Sequence, residues 1–259
     1  MSTTIKDPEM QTQICVQNII AEEIEIMKHY KCSETCNGWC CKVYTVTFTK
    51  KDYFEIFSHV NPEIKQILRK NTRKIKFDPE AIILTDEPQF RKLIEKPCPL
   101  MTKNSRCGMY DNRPDVCQLY PFVTHNVLEN NTIVILPCDM GVEIGLDSIY
   151  YTIEYVSVLR NRDEISEEQF REAIAIILRH TIVTYREKVD PKILEDSISS
   201  VFVIPAEFLS DFKKYVVTTS EEVRKQRCHA ITMFIEKHLT DENPVSEQEI
   251  FDFVHHWRS

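Results

Sequence analysis

Apolar residues recur at helical spacing at both ends of the chain, and the stretch between them carries short β-type runs. Over residues 9–30, Ile14, Val16, Ile19, Ile20, Ile24, Ile26 and Met27 share one broad side, which predicts a core-packing helix that includes Cys15. Residues 43–49 are β-branched and aromatic with partial alternation and predict a short strand. Thr49, with Asp52 three residues on, predicts the cap of a helix bearing Tyr53, Phe54, Ile56 and Phe57, and Asn61-Pro62 predicts the start of another. Residues 77–97 hold short apolar runs broken by Pro79, Pro88 and Pro97, a pattern of strand and loop. A strand at 132–136 delivers Cys138, and Gly141 and Gly145 punctuate the segment after it. From Asp147 onward the pattern is helical, with helices expected at about 147–160, 166–188, 191–201, 205–217, 220–239 and 246–257. Ser166 and Gln169 form a capping box for the second of these. The class is therefore α+β and mostly helical. A first domain, 1–146, joins the N-terminal helix to a small cysteine-rich unit with short strands, and a helical domain fills 147–259.

Composition narrows the functional classes. The chain has 259 residues, 42% hydrophobic and 28% charged, as an ordinary globular protein does. Four glycines leave no Gly-rich nucleotide cradle, and a formal charge of −8 argues against wholesale nucleic-acid binding. Met1 to Met10 is polar without the apolar core of a signal peptide, and no window reaches the ~18–20 apolar residues of a membrane span. A cytoplasmic location follows as the default, and there thiols stay reduced. The run from Lys65 to Lys76 carries Lys65, Arg69, Lys70, Arg73, Lys74 and Lys76 with no acid. It reads first as a solvated face, and second as a docking surface for an acidic partner, a nucleotide phosphate or RNA.

The distribution of cysteine is the chemical signal. Eight of ten cysteines fall between 32 and 138: Cys32, Cys36, Cys40, Cys41, Cys98, Cys107, Cys117 and Cys138. Four thiolates complete a tetrahedral zinc site or hold an iron–sulfur cluster, so eight suffice for two centres or for one with thiols to spare. The absence of any Cys-x2-Cys knuckle favours an iron–sulfur cluster over zinc. Adjacent side chains diverge by ~100° on a helix, so one of Cys40 and Cys41 is expected to serve a different site or a supporting role. Arg113 can balance thiolate charge or pair with Asp111 or Asp115. Backbone amides near Gly108 and Tyr110 can hydrogen-bond sulfur, while Tyr110 and Tyr120 read as packing residues. Cys228, on a C-terminal helix, reads as a core residue.

The order Cys32-x3-Cys36-x3-Cys40-Cys41, then Cys98-Pro99-Leu100, then Cys107 through the Tyr110-Asp111-x-Arg113-Pro114 box to Cys117 and Tyr120-Pro121-Phe122, resembles the YkgJ-type cysteine-cluster family over about residues 30–140. That family is described as zinc- or iron-chelating and sometimes as an iron–sulfur oxidoreductase. The resemblance implies a metal-binding protein with a [4Fe–4S] cluster or zinc on the eight cysteines. The related flagellin lysine N-methylases imply an alternative, SAM-dependent methylation of a protein lysine with a structural cluster. A metal-stabilised adaptor for protein or RNA is a third reading, resting on the basic run alone.

Overall fold

A computed structural model of the chain describes residues 19–32, 36, 38–43, 45–75, 89–123, 132–136, 138–189, 202–239, 246, 248–249 and 252–253. Helix α1 covers residues 19–27. Gly38 sits at φ +70°, a conformation that L side chains rarely adopt. It turns the chain into the short helix α2, Trp39–Val43, whose Lys42 N–H donates to the Gly38 carbonyl at 3.1 Å. Cys40 and Cys41 therefore lie on a helical turn. The expected strand begins only at β1, Thr47–Thr49. At its end the Asp52 N–H donates to Thr49 Oγ1 at 3.0 Å and the Thr49 N–H to Asp52 Oδ2 at 3.3 Å, the capping box that opens α3, Lys50–His59. Asn61 caps α4, Pro62–Asn71, with Pro62 in its first turn. Strands β2, Thr72–Lys74, and β3, Gln89–Leu93, complete an antiparallel sheet of order β1-β3-β2.

The second cysteine segment hangs from this sheet. The Cys98 N–H donates to the Cys41 carbonyl at 2.6 Å, tying the segment to α2. A tight loop then returns on itself through the Gly108 N–H to Leu100 O bond (2.9 Å) and an antiparallel bridge between Met101 and Cys107. After a 3-10 turn at Tyr110–Asn112, α5, Asp115–Leu119, carries Cys117. Strands β4, Phe122–Val123, and β5, Thr132–Ile135, pair antiparallel, and β6, Phe202–Pro205, adds to β5.

Cys138 is the N-cap of the long helix α6, Asp139–Asn161, its sulfur accepting the Gly141 N–H at 3.3 Å. The two glycines expected to interrupt the chain lie inside this helix. At Gly145 the reason is contact, because a Cβ there would fall 2.3 Å from the Phe202 ring of β6. Helix α7, Glu167–Val189, opens with the Ser166–Gln169 box read from the sequence. A 3-10 turn at Ala206–Phe208, where helix was expected from 205, leads into α8, Leu209–Thr218. Helix α9, Glu221–Leu239, comes next. Residues 248–249 and 252–253 are helical as expected, whereas the helix placed at 191–201 and residues 9–18 of the first helix lie outside the described residues.

Two apolar clusters result. The larger gathers Ile19, Ile26 and Met27 of α1 with residues of β4 to β6 and of α6 to α9. The smaller holds nine buried residues among the described ones, including Phe48, Tyr53, Leu68, Leu93 and Met109, with Cys98, Cys107 and Cys117 packed against it. A buried polar knot pins the larger cluster. Asp147, 0% exposed, receives the Tyr30 hydroxyl at 2.6 Å, the Cys228 thiol at 3.3 Å, the Tyr215 hydroxyl at 3.5 Å and Arg224 Nη1 at 3.5 Å. Cys228 is thus a buried core residue, as read from sequence, and also a donor in this knot.

Candidate metal centre

The described cysteines of the 32–138 segment come together at the junction of the two clusters. Seven of them (Cys32, Cys36, Cys40, Cys41, Cys98, Cys107 and Cys117) line one cavity of about 360 Å³. They arrive from the chain after α1, from α2, from the loop at 98–107 and from α5, so segments more than eighty residues apart share the wall. Its remaining surface is largely apolar, with Val46, Phe48, Leu93, Leu100, Met109 and Phe122, and among the described residues that line it there is no histidine and no carboxylate. Cys138 is not among the lining residues, but Tyr120 is, and its side chain opposes the burial effect on the Cys138 thiol. Among the described residues, no group of three or more His, Cys, Asp or Glu side chains converges as a ready coordination shell. The thiols ring a space rather than close on a point.

Cys40 and Cys41, one of which was expected to serve a different site or a supporting role, line the same cavity. Their thiols hydrogen-bond each other, and the Cys41 thiol also bonds that of Cys98. One thiol shared between two neighbours favours ionisation of the outer pair. Cys40 and Cys98 are each pushed down to about 7 by the bond from Cys41, while Cys41 is driven up as the proton holder. Burial raises Cys32 and Cys107, raises Cys117 well above its ordinary value, and raises Cys138 to about 11. A soft cation displacing those protons would meet an all-sulfur donor set in an apolar, partly enclosed site, the environment that suits thiolate-bound metals.

Charge compensation comes from Arg113. Its Nε donates to the Tyr110 carbonyl at 3.0 Å and its Nη1 to the Cys117 carbonyl at 3.3 Å, with the guanidinium 4.0 Å from the centroid of the Tyr110 ring. These bonds replace the ion pair with Asp111 or Asp115 considered from sequence. The guanidinium field opposes the burial effect at Cys32, Cys107 and Cys117 and adds to the lowering at Cys40. Tyr110 and Tyr120 do more than pack. The Tyr110 hydroxyl receives the Cys32 N–H at 3.3 Å and opposes the burial effect on the Cys32 thiol, as Tyr120 does on Cys138. Their spacing from Cys107, Cys117 and Pro121 is visible in sequence, but which thiol each acts on is set by the fold.

Fold and site together define a mostly helical α+β protein with a thiol-lined cavity built on a small cysteine-rich unit. Residues 31–138 match the model of the CxxCxxCC family, described as a "putative zinc- or iron-chelating domain". The matched segment starts one residue before Cys32 and ends on Cys138, the outermost cysteines of the set. The comparison with curated proteins and that with solved structures each found no match. Among the described residues no helix is long and apolar enough to cross a membrane.

Proposed function

We propose that this is an iron–sulfur protein, in which thiols drawn from Cys32, Cys36, Cys40, Cys41, Cys98, Cys107, Cys117 and Cys138 hold a [4Fe–4S] cluster rather than a single zinc ion. The observation that carries this reading is the size of the space the thiols line. A tetrahedral zinc ion draws four sulfurs to ~2.3 Å and leaves no room between them, whereas seven cysteines here share, with apolar neighbours, the wall of a cavity of about 360 Å³. A polynuclear core fills more of that space and uses sulfur alone, in keeping with a wall whose described residues include no histidine and no carboxylate. Bound there, such a cluster supplies one-electron chemistry, at a potential set by nearby charge, by hydrogen bonds to sulfur and by solvent access.

The chain's own residues provide those controls. Arg113 places a positive charge beside the thiols, the Gly141 N–H donates to the Cys138 sulfur, Tyr110 and Tyr120 favour the thiolate forms of Cys32 and Cys138, and Phe48, Leu93 and Met109 limit water. Retaining so many free thiols fits a reducing compartment such as the cytoplasm. Anaerobic purification tests the reading. It expects a brown protein with broad absorption near ~400 nm from thiolate-bound iron, with iron and acid-labile sulfide in equal amounts. A colourless protein with stoichiometric zinc and no sulfide would overturn the choice of metal.

A further inference from the structure

The basic run that the sequence offered as a solvated face, or else as a docking surface, is organised by the fold. Helix α4 carries Lys65, Arg69 and Lys70 on its outer side while Leu68 and Asn71 are buried, and exposed Arg73 follows on β2. Residues 64–77 contain no acid, and none of these four cations pairs with a carboxylate among the described residues. Exposed cations of the helical half are paired instead, as Arg171 is with Glu167, Lys225 with Glu221 and Lys237 with Glu249. Like charges left together repel one another, and an acidic surface laid over them relieves that repulsion.

What lies beneath these cations separates them from an ordinary solvated face. Lys65 Nζ and the Arg69 guanidinium stand 5.7 and 4.9 Å from the centroid of the Phe57 ring. Phe57 stacks on Tyr53 at 5.4 Å, and Tyr53 meets Phe48 edge-on at 6.1 Å. Phe48 lines the thiol cavity. Three packed rings therefore run from the cavity wall to the unpaired cations, a path without the gaps that hinder electron tunnelling. We infer that the outer face of α4 docks a small acidic one-electron carrier protein, with Phe48, Tyr53 and Phe57 as the path between carrier and metal centre. The docking half rests on the unpaired cations and charge complementarity, and the electron half rests on the iron–sulfur reading above. The exchange moves one electron and nothing else: the carrier is reduced by one as the thiolate-bound iron is oxidised by one, with no bond or proton transferred. A net charge of −8 suits this use of the face, because the rest of the chain repels an acidic partner and so turns it toward α4. Electron-transfer complexes are small and transient, within the reach of one helix face. Nucleic acid fits less well, since four cations neutralise few phosphates.

The test uses anaerobically purified protein, with iron, zinc and sulfide measured on the same sample, and an acidic b-type cytochrome as the probe. Binding is followed by NMR of the labelled cytochrome, and its reduction by the reduced, desalted protein by stopped flow. Affinity should fall about tenfold or more between ~10 and ~300 mM salt. The triple variant Lys65→Glu, Arg69→Glu, Lys70→Glu should weaken binding about tenfold or more, because it reverses the docking charge. A control of equal net charge, Arg171→Glu, Lys225→Glu, Lys237→Glu, should stay near wild type. Should the α4 variant misfold, carbodiimide coupling of wild-type lysine amines to cytochrome carboxylates decides instead, with Lys65 and Lys70 expected among the joined residues. At saturating cytochrome, Phe57→Ala should slow reduction roughly tenfold at unchanged metal content, because it opens a gap in a packed path; an unchanged rate would overturn the path. Zinc-loaded, iron-free protein that still binds the cytochrome through α4 would keep the docking surface and remove the iron–sulfur reading. Cluster-replete protein that does not bind it, equal losses in the two triple variants, or cross-links confined to other lysines would overturn the inference and leave that reading in place.

Discussion

Arg113 is where stability and metal binding at the cavity can be separated. Replacing it with glutamine removes donors to the Tyr110 carbonyl at 3.0 Å and the Cys117 carbonyl at 3.3 Å, and a guanidinium 4.0 Å from the Tyr110 ring. Hydrogen bonds from a charged donor contribute ~1.5–3 kcal/mol each and an exposed cation–π contact ~0.5–1 kcal/mol. A glutamine amide recovers at most one of these contacts, so Arg113→Gln should cost about 2–4 kcal/mol of stability. The second effect is electrostatic. Arg113 favours the thiolate forms of Cys32, Cys40, Cys107 and Cys117. On the proposed reading metal ligation draws on those thiolates, and loss of a supporting group of this kind costs about 10–100-fold in affinity. Arg113→Lys keeps the charge and loses the planar fork. It should be nearly as destabilised as the glutamine variant yet bind metal closer to wild type. The assay is a cobalt(II) titration of the metal-free protein against a competing chelator, followed by the thiolate-to-cobalt band, with urea midpoints measured in parallel. Wild-type affinity in Arg113→Gln, or an equal loss of affinity in Arg113→Lys, would refute the electrostatic half of this reasoning.

Gly38→Ala should lower both melting temperature and metal content. It forces a left-handed residue, at ~1–2 kcal/mol, and puts a Cβ 2.6 Å from the Ser105 carbonyl just before the helix bearing Cys40 and Cys41. Asp147→Asn leaves Arg224, 3% exposed, without its counter-charge and should cost about 3–5 kcal/mol by urea denaturation. Arg224→Met should cost less, because the Asp147 carboxyl, already pushed up by burial, can take a proton and keep its bond to Tyr30; equal losses in the two variants would count against this account. Stability of the metal-free protein should peak near pH 9. From about pH 7 upward Cys40 and Cys98 ionise in the folded chain before the unfolded one, which adds stability until the unfolded thiols ionise near 9.0. Above that, Cys32, Cys107, Cys117 and Cys138 hold protons that the unfolded chain releases, and stability falls. Urea midpoints at pH 7, 9 and 10.5 check this, and a midpoint still rising at 10.5 would contradict it.

What could be read from the sequence was whatever local chemistry determines. The Thr49–Asp52 and Ser166–Gln169 boxes and the Asn61-Pro62 start each rest on contacts within four residues, and all three form. The glycines misled because their reason is tertiary. Gly145 yields to the Phe202 ring more than fifty residues away, so a helix-weakening residue sits inside a helix. The strand expected over 43–49 forms only at Thr47–Thr49, because the turn at Gly38 opens a helix that runs through Val43. At the site, the residue types and the Tyr110–Arg113 box were visible, but Arg113's two carbonyl partners and the shared Cys40–Cys41–Cys98 thiols depend on a return of the chain that no periodicity encodes.

The packing itself gives the cysteines a structural task. The larger cluster buries twenty-seven apolar residues among the described ones, and α1 joins it from the far end of the chain. The smaller cluster, which carries the sheet β1-β3-β2 and most of the thiols, buries nine among the described ones. Small units of this kind are held by disulfides or metals. The described cysteines are free thiols, and seven of them open onto one cavity at the edge of the small core. A metal bound there would link the segment after α1, helix α2, the 98–107 loop and α5, four pieces that otherwise meet through few backbone bonds such as Cys98 to Cys41. Metal removal should therefore open the cysteine unit while leaving α6 to α9 folded. Limited proteolysis after chelation should then cut first within residues 89–119, with the helical fragment surviving, and cleavage distributed evenly over both parts would show that the small core stands without its metal.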